Sequence, residues 1–294
     1  MGSILTVDDL SDGDVDAILG TARELRARRA DDPSGRRRLL SLIFLEPSLR
    51  TRVGFAAAAL RLGWQTIDVT ARRQSPTSMM ESWADTLRTV AGYSDVILTR
   101  PARRLGPEDV DHAACCPVIN GGDVGPGAEH PSQALIDLFA MQELVGPPAQ
   151  INLAIVGDPR MRAVRSLLAL LARRPPASLT LIADGEHLRD VQLPPSLQSR
   201  ACVGSWDALG GMDVLYVAGI PHQSLPLDRR DALLATAARV AGLPPRCVLL
   251  SPMPVIDEMD PCVRRDGRNR MFEQSDLGLF VRMAILDHVL RDPS

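Results

Sequence analysis

The sequence predicts an α/β protein of two domains, each a parallel sheet flanked by helices, on three observations. Short β-rich runs alternate with helical patterns, which is the order that crossover connections in parallel sheets require. The alternation halts at Gly146-Pro147-Pro148 and then starts again. The length of 294 residues also suits two modest domains better than one core, because single cores stop growing near roughly 250–300 residues.

The opening stretch is acidic and helical in pattern. Residues 39–44, 65–69, 95–99 and 117–120 then read as strands, with helices over 49–62 and 82–91 between them. Residues 131–144 form one helix, closed by the Gly-Pro-Pro break. The second half repeats the scheme, with strands at 151–156, 179–183, 214–218 and 247–250 and helices near 161–173 and 229–241. A last helix over 279–290 carries Leu279, Met283, Leu286 and Leu290 at helical spacing. The domains expected are residues 1–144 and 145–274, with the C-terminal helix (275–294) packing back on the first. Two such halves joined by a helix usually hold ligand in the cleft between them.

Composition narrows the function. Hydrophobic residues at 45% and charged residues at 23% are ordinary for a packed globular chain. A net charge of −3 argues against a general nucleic-acid binder, though it leaves room for a local anion site. All 33 basic residues are arginine, so lysine Schiff-base chemistry is excluded. Arginine's planar donor fork suits carboxylates and phosphates. The cysteines at 115, 116, 202, 247 and 262 form no Cys-x-x-Cys pair and no zinc-ligand spacing. No signal-peptide pattern opens the chain, and no apolar run reaches the roughly 20 residues a membrane span needs. A cytoplasmic protein is expected. Gly157-Asp158-Pro159 lacks the glycine fingerprint of a dinucleotide site.

The chemistry gathers at two helix starts. The apolar run 39–44 ends at Glu46-Pro47, and Ser48 then stands as an N-cap. The N–H groups of Leu49, Arg50 and Thr51 would lack helical partners and point, with the positive helix end, toward an anion. Arg50 adds a guanidinium and Thr51 a hydroxyl. The second start is His130-Pro131-Ser132-Gln133. Here a histidine can donate to a carbonyl oxygen, and a glutamine amide oxygen can accept from an NH₂ group. Arg100 follows strand 95–99 directly, where α/β proteins place ligand-binding residues.

Phe44-Leu45-Glu46-Pro47-Ser48-Leu49-Arg50-Thr51-Arg52 resembles the phrase F-x-E-P-S-T-R-T-R of the aspartate and ornithine carbamoyltransferases. Further matches follow in family order. They are Glu81-Ser82 with Asp85-Thr86, Tyr93-x-Asp95 with Arg100, and Asn120 with Asp123. Then come His130-Pro131-x-Gln133-Ala134-Leu135-x-Asp137-Leu138, Val156-Gly157-Asp158 with Arg162, and Gln274 with Gly278 and Val281-Arg282-Met283-Ala284. The resemblance implies a carbamoyl-phosphate-binding domain followed by an acceptor-binding domain. It also implies a homotrimer with sites at subunit interfaces, and no metal or organic cofactor. It assigns the phosphate to Ser48, Leu49, Arg50 and Thr51 with Arg100. It assigns the carbamoyl oxygen to Thr51, Arg100 and His130, and the carbamoyl NH₂ to Gln133 and the backbone carbonyls near Pro252 and Met253.

The acceptor half departs from that pattern. The family's loop lysine falls at Met79, beside Met80, although Ser75 keeps the loop serine's place. The arginine and glutamine expected after strand 214–218 are Gly219 and Pro221. The phrase H-P-L-P-R becomes Ser251-Pro252-Met253-Pro254-Val255, and Ser-Phe-Glu becomes Gly54-Phe55-Ala56. Arg162 remains from the carboxylate-binding set. Each lost arginine removes a charge-assisted contact worth about 1.5–3 kcal/mol. Signatures of the ornithine branch are missing too. The leading expectation is therefore transfer from carbamoyl phosphate to a small amine other than aspartate or ornithine. A catalytically silent structural or regulatory subunit is one alternative. A divergent aspartate carbamoyltransferase is another, with Arg72, Arg73 or His222 compensating.

Overall fold

A computed structural model describes residues 2–28, 37–70, 81–114, 116–221 and 225–291. Arg72, Arg73, Ser75, Met79, Met80, Cys115 and His222 lie outside the described residues. The chain divides into two compact units, one of Met1–Leu135 with Leu277–Ser294 and one of Ile136–Asp276. The division falls inside a helix, upstream of the Gly146 break on which the sequence-based boundary was drawn.

In the first unit four strands, β1 (Leu39–Phe44), β2 (Gln65–Thr70), β3 (Val96–Arg100) and β4 (Val118–Asn120), form a parallel sheet in the order β2-β1-β3-β4. The helices are α1 (Asp12–Arg28), α2 (Leu49–Arg61), α3 (Trp83–Ala91), α4 (Pro107–Ala113), the first turn of α5 (Pro131–Leu144) and, from Leu277 on, most of α11 (Met271–His288). β1 is apolar along almost its whole length and β3 over its first three residues, and both are buried nearly throughout, as strands covered on both faces must be. Helix α2 buries Thr51, Phe55, Ala58 and Ala59. Its other face leaves Leu49, Val53 and Leu60 exposed at 75%, 56% and 63%. Gly63, with φ 75°, ends it in the left-handed conformation that favours glycine.

In the second unit β5 (Asn152–Val156), β6 (Ser178–Ile182), β7 (Ala201–Val203), β8 (Val214–Val217) and β9 (Val248–Leu250) form a parallel sheet in the order β7-β6-β5-β8-β9. Its helices are the rest of α5, α6 (Arg162–Arg173), α7 (Gly185–Arg189), α8 (Pro195–Gln198), α9 (Leu227–Asp231), α10 (Ala237–Ala241) and the start of α11 (Met271–His288). The core joins Ala154, Val156, Leu215, Val217 and Leu249 from the sheet to Leu233, Val240 and Met259.

Two sequence-based expectations need correction. The single helix over 229–241 is two short helices, because Ala235 between them bridges to Met259 and donates its N–H to Glu258 O at 2.8 Å. The last helix begins at Met271 rather than 279, where Asn269 Oδ1 accepts from Met271 N at 3.1 Å. α4 and the edge strand β7 were not foreseen.

Asp184 caps α7, accepting from Glu186 N, and pairs with Arg229 on α9. Hydrogen bonding from that guanidinium holds the Asp184 carboxyl at about 2. A depressed carboxylate contributes stability above its unfolded value, near 3.8, and loses it as pH falls toward 2. Asp184→Asn is therefore expected to flatten the acid limb of a Tm-against-pH curve. An unchanged acid limb would show that this pair does not couple to folding.

The order of each sheet fixes where ligands belong. Strand order reverses between β1 and β3 in one unit and between β5 and β8 in the other. In open parallel sheets the crevice outside the carboxyl ends of the strands at such a reversal is the usual binding place.

Candidate active site

At the β1/β3 reversal the sequence-predicted donor residues of the first unit come together. Ser48 occupies the N-cap of α2 with extended backbone, and its hydroxyl makes no capping hydrogen bond. Leu49, Arg50 and Thr51 form the first turn, and no described residue accepts from their N–H groups. Arg50 is half-buried and has no hydrogen-bonding or ion-pair partner among the described residues. Burial lowers its pKa from the usual arginine value. Arg52 instead turns away to Asp68 on β2.

Thr51, Arg100 and His130 converge. Their exposures are 5%, 6% and 7%, so all three are nearly closed off from water. One Arg100 terminal nitrogen donates to Thr51 Oγ1 at 3.1 Å and lies 3.2 Å from His130 Nε2. Thr51 Oγ1 is 3.3 Å from the same ring nitrogen. The guanidinium is held by backbone: Nε donates to Gly121 O at 2.9 Å, and the far nitrogen to Pro47 O at 3.3 Å. Ser132 Oγ stands 3.3 Å from His130 Nδ1. A hydroxyl both donates and accepts, so it supports either neutral tautomer of the ring. Gln133 sits half-buried on the same turn.

The Asn120-Gly121-Gly122-Asp123 segment after β4 shapes this pocket. Asn120 Oδ1 accepts from Gly122 N at 2.8 Å, and buried Asp123 accepts from Leu105 N at 2.9 Å and Glu129 N at 2.7 Å. Gly122 has φ +101°, and a Cβ there would lie 2.8 Å from His130 Cδ2 and 2.9 Å from an Arg100 nitrogen. Gly122→Ala is therefore expected to displace both side chains and lower turnover by about tenfold. Steady-state rates at saturating substrate would check this, and wild-type rates would refute it. The sequence reading places Ser132 in the second helix start without a role and leaves out Gly121 and Gly122, although a Gly-Gly pair after a strand signals a close backbone approach.

The remaining site candidates lie in the second unit. Pro252 and Met253 occupy the loop after β9. The Met253–Pro254 peptide is cis and Met253 has φ 50°. A buried relay holds this loop. Tyr216 Oη donates to Asp137 Oδ2 at 2.7 Å, and Gln274 Nε2 donates to Asp137 Oδ1 at 2.6 Å. Gln274 Oε1 accepts from Ser251 N at 3.0 Å, and Ser251 Oγ accepts from Met253 N at 3.1 Å. Burial and the nearby Asp137 charge push the Tyr216 hydroxyl well above its ordinary value, so it stays a donor. Asp137 belongs to α5, the helix that begins beside His130 and Gln133.

At the β5/β8 reversal stand Arg162, the first residue of α6, and Gly219 and Pro221 after β8. Gly157 has φ +120°, and a Cβ there would meet Ala218 O at 2.8 Å, so only glycine lets these loops touch. Asp158 N donates to Gly219 O at 2.9 Å. Met161 Sδ accepts from Gly219 N at 3.1 Å. Among the described residues no group of three or more His, Cys, Asp or Glu stands close enough to hold a metal, and no helix is long and apolar enough to cross a membrane.

A helix start with N–H groups unpartnered among the described residues, joined by buried threonine, arginine and histidine, fits a transferase with a phosphorylated carbonyl donor. Comparison with known proteins agrees. Residues 3–143 match the family described as aspartate/ornithine carbamoyltransferase, carbamoyl-P binding domain. The aspartate carbamoyltransferase catalytic subunit of Methanoculleus marisnigri is 32% identical over 306 residues, covering 99% of this chain and 100% of that one. The chloroplastic aspartate carbamoyltransferase of Arabidopsis thaliana is 32% identical over 266 residues, 86% of this chain and 67% of that one. Among solved structures, the catalytic subunit of M. jannaschii aspartate transcarbamoylase aligns with TM-score 0.84 and 28% identity, covering 99% of this chain and 98% of that one. The Trypanosoma cruzi enzyme in complex with aspartate and phosphate aligns with TM-score 0.83 and 28% identity, covering 99% and 96%. The chain belongs to the aspartate/ornithine carbamoyltransferase family. Within that family of enzymes its full-length relatives place it on the aspartate branch.

Proposed function

We propose that this chain is a divergent aspartate carbamoyltransferase, moving the carbamoyl group of carbamoyl phosphate to the amino group of aspartate with release of inorganic phosphate. The convergence of Thr51, Arg100 and His130 beside the first turn of α2 carries the donor half of this reading. Ser48, the N–H groups of Leu49 to Thr51, and Arg50 bind the phosphate. Thr51, Arg100 and His130 face the carbamoyl oxygen and stabilise the charge that develops on it as the amine attacks. Gln133 and the carbonyls of Pro252 and Met253 orient the carbamoyl NH₂. Catalysis then rests on positioning and preset dipoles, with no covalent intermediate.

For the acceptor, relatives matched end to end favour aspartate over the sequence-based expectation of a different amine. They also count against a silent subunit. The glycine and proline at 219 and 221 still favour a second reading, in which another small amino acid competes as acceptor. Phosphate release measured across a panel of amines tests both. Aspartate is expected to give the highest kcat/KM, and a clear preference for another amine would promote the second reading.

We also assign this chain to a cytoplasmic homotrimer with sites at subunit interfaces. The exposed apolar stripe of Leu49, Val53 and Leu60 runs down α2 from the phosphate-binding turn, and such a stripe favours burial against another subunit. Sedimentation of the purified protein would report a trimer, and a monomer at micromolar concentration would reject it.

A further inference from the structure

The β5/β8 crevice carries a device that neither the family resemblance nor the donor chemistry explains. Aspartate differs from a monocarboxylic amino acid by one carboxylate, which needs hydrogen-bond donors wherever it docks. The loop after β8 has its donors already engaged. Gly219 N–H points at Met161 Sδ, 3.1 Å away. Ile220 N–H faces Glu258 Oε1 at 3.5 Å, and the other oxygen of this buried carboxyl group accepts from Ile256 N at 2.6 Å. Space is limited in the same direction. A Cβ at Gly219 would lie 2.9 Å from Met161 Sδ, 3.1 Å from its Cε and 3.7 Å from Glu258 Oε1. Apart from Arg162 at the start of α6, the wall around Gly219 at this reversal thus presents a thioether and carboxyl oxygens, all of them acceptors.

We infer that Met161 sets the acceptor selectivity of this chain: it fills the volume beside Gly219 and takes that residue's N–H, so the second carboxylate of a dicarboxylic acceptor is poorly held. The chain accordingly discriminates weakly between aspartate and amino acids with a single carboxylate. This rests on the proposed function, with the acceptor placed in the β5/β8 crevice beside Arg162 and Gly219. Methionine suits the role because its unbranched, flexible side chain fills such a space without fixing it. Shortening it frees both the volume and the Gly219 N–H, and one recovered hydrogen bond to a charged group is worth about tenfold in affinity or more.

The test is calorimetric and needs no turnover. Phosphonacetamide probes the donor half alone, and N-(phosphonacetyl)-L-aspartic acid probes both halves, so the ratio of their Kd values isolates the contribution of the aspartate portion. Met161→Ala is expected to raise that ratio about tenfold. Met161→Leu keeps the bulk and is expected to stay near the wild-type ratio. A ratio unchanged by Met161→Ala, or raised equally by Met161→Leu, overturns the inference. If phosphonacetamide binds none of the three proteins, the donor-site reading itself fails and this inference falls with it.

Discussion

Replacing Arg100 with alanine is expected to lower kcat for carbamoyl transfer by about 10²–10³-fold, the usual cost of deleting one donor from an oxyanion-stabilising set. The geometry gives the reason. Arg100 is 6% exposed, and its guanidinium is aimed by the carbonyls of Gly121 and Pro47. Its terminal nitrogen meets Thr51 and His130 at a single point. Removing it leaves those two without the charge that organises them. Arg100→Lys is expected to recover little, since a single ammonium nitrogen cannot span the separate positions of Gly121 O, Pro47 O and Thr51 Oγ1 that the planar guanidinium reaches. Both variants should keep the wild-type Tm to within a few degrees. Steady-state kinetics beside thermal melts separates the two effects, and a loss below tenfold in Arg100→Ala would remove Arg100 from the catalytic set.

The second large effect is on stability. Asp137→Ala is expected to destabilise the protein by about 2–4 kcal/mol, because it strands two buried donors at once. Tyr216 Oη and Gln274 Nε2 both end on this carboxylate, which is fully buried. Tyr216→Phe deletes one donor along with its need for a partner, and should cost only about 1 kcal/mol. The relay continues through Ser251 to the Met253 backbone, so Asp137→Ala should also slow turnover by loosening the loop proposed to orient the carbamoyl NH₂. Urea melts of the two variants give the comparison. Equal destabilisation by both would show that the Asp137 carboxylate is not the node of this relay.

Much of this was legible in the sequence wherever the signal was local. The run Leu39-Leu40-Ser41-Leu42-Ile43-Phe44 between charged residues could only be a doubly covered strand, and β1 has those bounds. Helix α5 was bounded by Pro131 at its start and by Gly146 just beyond its end. The residues of the proposed donor site were legible for the same reason, because Ser48 to Thr51 are contiguous and Arg100 and His130 each sit where an element ends or begins. β7 was missed because it has three residues, mostly exposed, at a sheet edge. The 229–241 segment kept a helical apolar period at Leu233, Ala237 and Val240 and was read as one helix. Its pairing with Met259 is a tertiary fact that no period announces. The proposed acceptor crevice was least legible. Met161, Gly219 and Glu258 come from three distant segments, and only the strand order β5-β8-β9 brings them side by side. Sequence alone could register that Gly219 and Pro221 replace polar residues, but not that Met161 fills the space.

The central claim is carbamoyl transfer to aspartate, and following the carbamoyl carbon tests it most directly. With ¹³C-labelled carbamoyl phosphate and aspartate, NMR is predicted to show the label passing to a ureido carbon on the aspartate nitrogen, in step with phosphate release and slowed by about 10²–10³-fold in Arg100→Ala. Release of phosphate with the label lost to hydrolysis, or a label that stays on carbamoyl phosphate whatever amine is supplied, would contradict it.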